Sequence, residues 1–370
     1  MNFDLNKTQQ LLQESAQTFF TRECPITKVR EIMESENGHD SALWNGIAEQ
    51  GWTGLTLPEE FDGLGLSYVD LAAVSEEMGR ACAPSAFLAT SWASALIAAS
   101  GNADLKSKLL PDLALGESIA TVALQEDGSN WDSFSIQMKA ESADSGVTLT
   151  GTKRLVMDAA VANAILVVAR KGDDLIVAVV DPSAEGLEIT PTEGMDLTRR
   201  FYQLVFSNVA GEILASGEAA ENALKQSIQT GIIIACADLL GGMDWVLKTT
   251  VEYAQSRQQF GKPIGSYQAV QHQCADMLLL SESSRSAAYY AAWALNEGDD
   301  EANQAINIAK AYCSEAARVI GNCGIQIHGG IGFTWEHDLH IYYKRAKSNE
   351  LIFGDPTHHR EKLAQLMVAE

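Results

Sequence analysis

Three stretches of this sequence hold residues whose types and spacing could do chemistry. The first is Arg257, followed by Phe260, Gly261 and Gln268. A guanidinium is a fixed cation with a planar fork of donors, which suits a pyrophosphate; the plainer use is a surface ion pair. Phe260 can pack on an adenine or on a helix, and Gly261 reads as the glycine that ends the preceding helix. The second is Gln326-Ile327-His328-Gly329-Gly330, with Gly332 just beyond. Glycines there let backbone N–H groups approach a phosphate, and glutamine can bond both amide and ribose partners. The plainer reading is a helix-ending loop. The third is Asp355-Pro356-Thr357, where an aspartate before a proline has the pattern of a turn or a helix N-cap. His328, His337, His340, His358 and His359 lack the i,i+4 pair with a glutamate that a helical zinc site uses, so no metal is expected. The charged stretch 344–350 reads as a solvated helical face.

Stepping outward, 370 residues allow two or three domains and a large core. Apolar residues make up 46% and charged residues 20%, the balance of an ordinary soluble globular protein. A net charge of −23 would repel DNA, RNA and anionic lipid, which argues against nucleic-acid binding. Met1-Asn2-Phe3-Asp4 does not resemble a signal peptide. The longest apolar stretch, 231–243, is short and interrupted by Asp238, so no membrane span is expected. Six cysteines without CxxC spacing read as small core hydrophobes in a reducing cytoplasm.

The elements that must position the candidate residues fall into three zones. Residues 1–116 read as helical, with helices at 9–20, 41–50, 68–80 and 85–100 and a turn-rich segment at 58–65. Residues 117–213 hold short β-branched runs at 121–124, 134–138, 147–150, 165–168 and 175–180 between turn formers, the texture of an antiparallel sandwich or barrel. Residues 214–370 return to helical period. Val270, Cys274, Met277 and Leu278 mark one helix face; Ala309, Cys313, Ala316, Ile320 and Cys323 mark another. The fold class is therefore α+β: an N-terminal helical domain, a β-domain and a C-terminal four-helix bundle.

Four motifs in this order resemble the acyl-CoA dehydrogenase family, and with the zone order the resemblance covers essentially the whole chain. Residues 58–65 are similar to its Pro-Glu-x-x-Gly-Gly-x-Gly turn, with Asp62 in place of the first glycine. Gly151-Thr152-Lys153 resembles its Gly-x-Lys. Arg257 through Ile264, with Gln268 and Gln271, matches its Arg-x-x-Phe-Gly-x-x-Ile…Gln…Gln. Gln326 to Phe333 is similar to its Gln-x-x-Gly-Gly-x-Gly-Tyr. The resemblance implies FAD between the β-domain and the bundle, with Arg257, Phe260, Gln268, Gln326, Ile327, His328, Gly329, Gly330 and Thr357 as its contacts. Arg257 and the 326–330 segment would reach the adenosine pyrophosphate of a neighbouring subunit's FAD. It also implies an acyl-CoA substrate, an electron-transfer flavoprotein as electron acceptor, and an oligomer: a homodimer, a homotetramer or an α2β2 heterotetramer with a paralogous subunit.

The family's chemistry removes an α-proton with a carboxylate while the flavin takes the β-hydride. The usual glutamate lies in a Tyr-Glu-Gly-Thr run, which reads Ile352-Phe353-Gly354-Asp355-Pro356-Thr357 here. Phe353 occupies that slot, and Gly231 occupies the family's alternative slot on the helix leading to Arg257. Asp355 is the nearest acid and the candidate base, with Glu350 next. The family's flavin-ring loop shrinks to Gln125-Glu126-Asp127-Gly128-Ser129, and its Trp-Ile-Thr becomes Leu155-Val156-Met157. The losses fall on the ring and base side, whereas the adenosine-side motifs are intact. Such a pattern fits either a dehydrogenase acting through Asp355 or a half-site subunit that completes a partner's FAD site, as in heteromeric relatives acting on steroid side-chain thioesters. A flavin monooxygenase or oxidase on the same fold is a third reading.

Overall fold

Helix-start signals in the first third act where they stand. Asn6 caps α1 (Lys7–Glu23) through a reciprocal box with Gln9, and Ser67 caps α4 (Tyr68–Arg80) the same way with Asp70. Each cap satisfies N–H groups that a first helical turn leaves open. Asp40 starts α3 (Ser41–Glu49), and α5 is Phe87–Ala99. Helices α2 (Ile26–Glu34) and α6 (Ala103–Ala114) have no counterpart in the sequence reading; Pro111 inside α6 hid it. The structure is a computed structural model that describes residues 5–128, 131, 135–143, 146–299 and 301–369.

The middle of the chain forms β1 (Ala120–Ala123), β2 (Lys139–Ala143), β3 (Gly146–Met157), β4 (Ala164–Lys171), β5 (Asp174–Val180), β6 (Leu187–Thr192) and β7 (Phe201–Ser216). Pairings β4–β2, β2–β3, β3–β7, β7–β5 and β5–β4 close a ring, with β1 added on β4 and β6 on β7. Most pairs are antiparallel, but β1 and β2 both meet β4 in parallel, so the sheet is mixed. Phe134 of the expected 134–138 strand lies outside the described residues. Residues 136–138 form no strand, because the Met138 N–H bonds the Glu126 carboxylate instead of a ladder partner. In the 58–65 turn, Asp62 sits at φ 59°, a left-handed conformation that glycine adopts without strain and aspartate better than most residues.

The rest is helical apart from one hairpin: α7 (Glu218–Ser256), β8 (Gln258–Gln259), β9 (Lys262–Pro263), α8 (Gln268–Glu297), α9 (Ala302–His328), α10 (Leu339–Leu351) and α11 (Pro356–Ala369). The chain divides into two compact units. One comprises Ile32–Leu66 and Pro84–Gly231; the other comprises Met1–Glu31, Ser67–Ala83 and Ile232–Glu370.

Within the helical unit, α4 crosses α7 backbone against backbone. A Cβ on Gly79 would lie 2.0 Å from the Asp238 carbonyl oxygen, and one on Gly241 would lie 1.9 Å from that of Glu76. The crossing carries acids into the interior, and each is met by arginine. Glu76 is fully buried and accepts from Arg80, from both contacts of Arg285 (2.6 Å each) and from the Tyr289 hydroxyl. Asp244 joins the same group through Arg80 and Arg285. Asp238 takes the Arg345 fork (2.6 and 3.2 Å) and the Asn349 amide (2.6 Å). The expected solvated face at 344–350 is thus corrected: Arg345 and Asn349 are buried because Asp238 needs donors inside. Leu278 is likewise corrected, being 51% exposed while Met277 is buried. Helix α7 is long and apolar enough to cross a membrane by composition, yet 78% of its apolar window is buried inside the protein.

Gly241→Ala should destabilise the chain by about 3 kcal/mol or more, since the added methyl meets a helix backbone that cannot yield. Urea unfolding followed by circular dichroism measures it, and a loss below about 1 kcal/mol would contradict so tight a crossing.

Candidate functional site

The segment after α7 is a tight hairpin. Gln258 and Gln259 of β8 pair with Pro263 and Lys262 of β9, leaving Phe260 and Gly261 as the two-residue turn. Both have positive φ, 53° and 79°, as a type I′ turn requires. Gly261 therefore makes this turn and does not end a helix, since α7 stops at Ser256. Phe260 is held in a conformation that bulky residues avoid, and it is 93% exposed. The Arg257 guanidinium is exposed and makes no hydrogen bond or ion pair among the described residues. The hairpin is braced from below: Ile264 N–H donates to Arg257 O, the Tyr267 hydroxyl to Gln259 O, and Lys262 lies over the Tyr267 ring. Gln268 opens α8 and is exposed.

The second motif lies beside the first. Gln326, Ile327 and His328 form the last turn of α9, and Gly329 ends that helix at φ 64°. His328 stacks on Tyr253 of α7 at 4.4 Å, and the Tyr253 hydroxyl donates to His328 O at 3.4 Å. The ends of α7 and α9 are thereby fixed together. His328 is buried, with Nδ1 2.8 Å from Gly324 O, and burial lowers its pKa. A Cβ on Gly261, Gly329 or Gly330 would meet nothing within 4 Å. Gly330 also has no positive φ, so neither packing nor backbone of this chain demands glycine there.

Asp355 and Thr357 stand elsewhere. Lys310 of α9, fully buried, donates to the carbonyls of Asn349, Glu350 and Gly354 at 2.9–3.0 Å. His359 of α11 donates from Nε2 to Phe353 O at 3.0 Å and faces the Asn307 side chain with Nδ1 at 2.8 Å. Between these braces the Phe353 side chain is buried, and Gly354 turns the chain at φ 105°. Asp355 Oδ1 accepts from His358 N–H at 2.8 Å, so the exposed carboxylate acts as an N-cap of α11. Thr357 is exposed one residue into that helix. Glu350 pairs with Lys347 at 2.7 Å. From residue 310 to residue 326 is about 24 Å along α9. One chain therefore presents the Asp355 loop and the Arg257 hairpin as separate sites. Lys310 was missed in the sequence and His359 was weighed only as one of a histidine group without metal spacing, because a side chain that braces distant carbonyls carries no motif.

In the β-rich unit, the lysine of the Gly-x-Lys motif is structural. Lys153 is fully buried and donates to Leu124 O at 3.0 Å and to Glu126 at 2.6 Å. Desolvation brings its pKa down to about 8, with Glu126 opposing the shift. The Glu126 carboxylate also accepts from the Gln137 and Met138 N–H groups, which pins the start of the 125–128 segment; Ser129 lies outside the described residues. A register shift between Lys153 and Val156 turns Leu155 outward at φ 51°, while Val156 and Met157 are buried.

Family sequence models match both ends of the chain: "Acyl-CoA dehydrogenase, N-terminal domain" over residues 6–117 and "Acyl-CoA dehydrogenase, C-terminal domain" over residues 222–368. Acyl-CoA dehydrogenase IpdE2 of Mycobacterium tuberculosis is 32% identical over 97% of this chain and 96% of its own. Among solved structures, the steroid ACAD Tcur3481-Tcur3483 is 30% identical with a TM-score of 0.89 over 98% of both chains. The ChsE4-ChsE5 complex from Mycobacterium tuberculosis is 25% identical with a TM-score of 0.91 over the full length of both. The chain belongs to the acyl-CoA dehydrogenase family, whose members are FAD-dependent oxidoreductases. The Arg257 hairpin and the Gln326–Gly330 turn would fit such a cofactor: a guanidinium without a partner among the described residues, an exposed aromatic ring and glycines facing open space. On the ring side, Leu155, Met157 and Phe353 offer neither the aromatic cover, the hydroxyl nor the carboxylate that the family uses.

The His359 brace gives a pH signature. Burial and the nearby Lys310 hold its pKa down to about 3, against 6.5 ordinarily. The unfolded chain thus binds the proton first, so stability from this site is full above pH 6.5 and is lost as pH falls toward 3. His359→Gln should flatten the fall in unfolding free energy between pH 6.5 and pH 4 by about 3 kcal/mol. Urea titrations across that range measure it, and parallel curves for variant and parent would refute the buried neutral ring.

Proposed function

We propose that this chain is a subunit of an FAD-dependent dehydrogenase that converts an acyl-CoA thioester to the trans-2-enoyl-CoA, with a steroid side chain or fatty acid as the acyl group. The Arg257 hairpin and the Gln326–Gly330 turn serve the adenosine pyrophosphate of an FAD held by a neighbouring subunit. The observation that carries this is Phe260, a strained aromatic residue left in water. Burying a phenylalanine stabilises by about 1.5–3 kcal/mol and its left-handed backbone costs about 1–2 kcal/mol, so the hairpin makes physical sense only when something covers it. Arg257 would bond the pyrophosphate; Gln268 and Gln326 would bond amide and ribose partners. Ile327 and His328 set the approach of Gly329 and Gly330, and Thr357 belongs with the loop of the subunit's own site. FAD, when bound, accepts the β-hydride.

The assembly we favour is a heteromer with a paralogous subunit that supplies the carboxylate, working with an electron-transfer flavoprotein in the cytoplasm. What supports it is the Phe353 loop: the usual base slot is apolar and buried, and Asp355 already caps α11. A homo-oligomer acting through Asp355 is the second reading, favoured by the exposure of that carboxylate.

Arg257→Ala should weaken FAD retention in the assembled protein by roughly 2–4 kcal/mol. An unchanged FAD dissociation constant would remove Arg257 from the site. Asp355→Asn separates the two assemblies. If the partner holds the base, the complex bleaches its flavin with acyl-CoA at the parent rate; if Asp355 is the base, the rate falls by several orders of magnitude. Rapid-mixing absorbance reads either outcome.

A further inference from the structure

Helices α8 and α9 pack as an antiparallel pair joined by a short turn, and one bond fixes their register: the Cys313 thiol lies 3.5 Å from Ser284 O. Stepping three, four and three residues from that rung, in opposite chain directions, pairs Ser281 with Ala316, Met277 with Ile320, and Cys274 with Cys323. Stepping the other way pairs Ala288 with Ala309 and Ala291 with Ile306. Such alternation of three and four is the seam of two helices meeting side by side. Every residue on the rungs from Ala291/Ile306 to Met277/Ile320 is buried, as residues facing one another across a seam must be. The next rung, Cys274 with Cys323, is where the seam reaches solvent: both thiols are free and half-buried.

We propose that Cys274 and Cys323 close an intrachain disulfide across the α8–α9 seam when the protein meets a peroxide. A disulfide needs Cα atoms about 4.4–6.8 Å apart with side chains directed at each other. The rungs from Ala288/Ala309 to Ser281/Ala316 are small, and small residues let helix axes approach the near end of about 8–10 Å; beyond them Met277 and Ile320 form the one large rung before the cysteines. The two helices are within electrostatic reach at this end: the Cys274 thiol is pushed up by burial and by Cys323, and the Cys323 thiol by burial and by Asp276 of α8. In the reaction one thiolate attacks a peroxide oxygen, the O–O bond breaks, and a sulfenic acid and hydroxide form. The second thiolate attacks the sulfenic sulfur and expels hydroxide as the S–S bond forms. Two thiols lose two electrons and two protons, and hydrogen peroxide becomes two waters. Cys236 and Cys313 form a second thiol contact, but both are fully buried, so peroxide does not reach them.

The test treats the folded chain with hydrogen peroxide, blocks remaining thiols with an alkylating reagent and maps peptides without reduction. A linked Cys274–Cys323 peptide, absent from Cys274→Ser and Cys323→Ser chains of unchanged circular dichroism and reversed by dithiothreitol, is the expected result. Cys236 and Cys313 stay alkylatable only after unfolding. Two singly oxidised peptides without a link, a link to any other cysteine, or a link only between chains overturns the proposal. Because no flavin is needed, the outcome does not depend on the site assigned above.

Discussion

The contact between Gly79 and Gly241 is the constraint on which the helical unit depends. Two helices can approach until backbone meets backbone only where neither bears a side chain, and at 2 Å from a carbonyl oxygen no other residue fits. That approach leaves Glu76, Asp238 and Asp244 with little water, so each requires a cation inside. Arg80 comes from α4, Arg285 from α8 and Arg345 from α10. Removing Arg345 would strand the buried Asp238 charge, at a cost of about 3–5 kcal/mol, whereas Glu76 and Asp244 each keep one arginine if the other is lost. The network therefore ties α4, α7, α8 and α10 in one register, and α9 is then seated against α8 and α10.

Much of this was legible in the sequence, and the reasons differ by element. Helix α4 could be placed from its Ser67 cap and apolar period because both signals are local. The β-rich zone was visible from β-branched runs, but β6 and β7 were not, since their half-exposed faces mix polar and apolar residues. The parallel joins of β1 and β2 to β4 depend on distant partners and leave no local trace. At the candidate site, spacing marked Arg257 through Gln268 and Gln326 through Gly330, because turns and caps need particular residues at particular steps. The roles of Lys310, His359 and Lys153 could not be read. They act by pointing a donor at carbonyls or a carboxylate brought together only by the fold.

The two halves of the family's site are built from different materials. The hairpin and the Gly329–Gly330 turn keep a strained aromatic ring, a guanidinium without a partner among the described residues and, at Gly330, a glycine that neither packing nor backbone requires, while Gly261 and Gly329 shape the turn and the helix end. On the other half, Leu155 is turned out by a bulge, Val156 and Met157 are turned in, and Phe353 is packed away. Strain is not confined to one half: Leu155 at φ 51° and Phe353 at φ 63° share the left-handed backbone of Phe260. The halves differ in the chemistry they offer, a cation and open glycines on the hairpin side against the apolar side chains of Leu155, Val156, Met157 and Phe353 on the other.

The Phe353 loop is held by its backbone. Lys310 and His359 reach carbonyl oxygens of residues 349, 350, 353 and 354, and neither grips a side chain of the loop. Of those residues Gly354 is tied to its type, since a Cβ there would strike His358 at 2.4 Å, and Asn349 by its amide bond to Asp238. The path of the loop is thus set by donors on α9 and α11 that read only its carbonyls, and its geometry is separable from the chemistry of the side chain that position 353 presents.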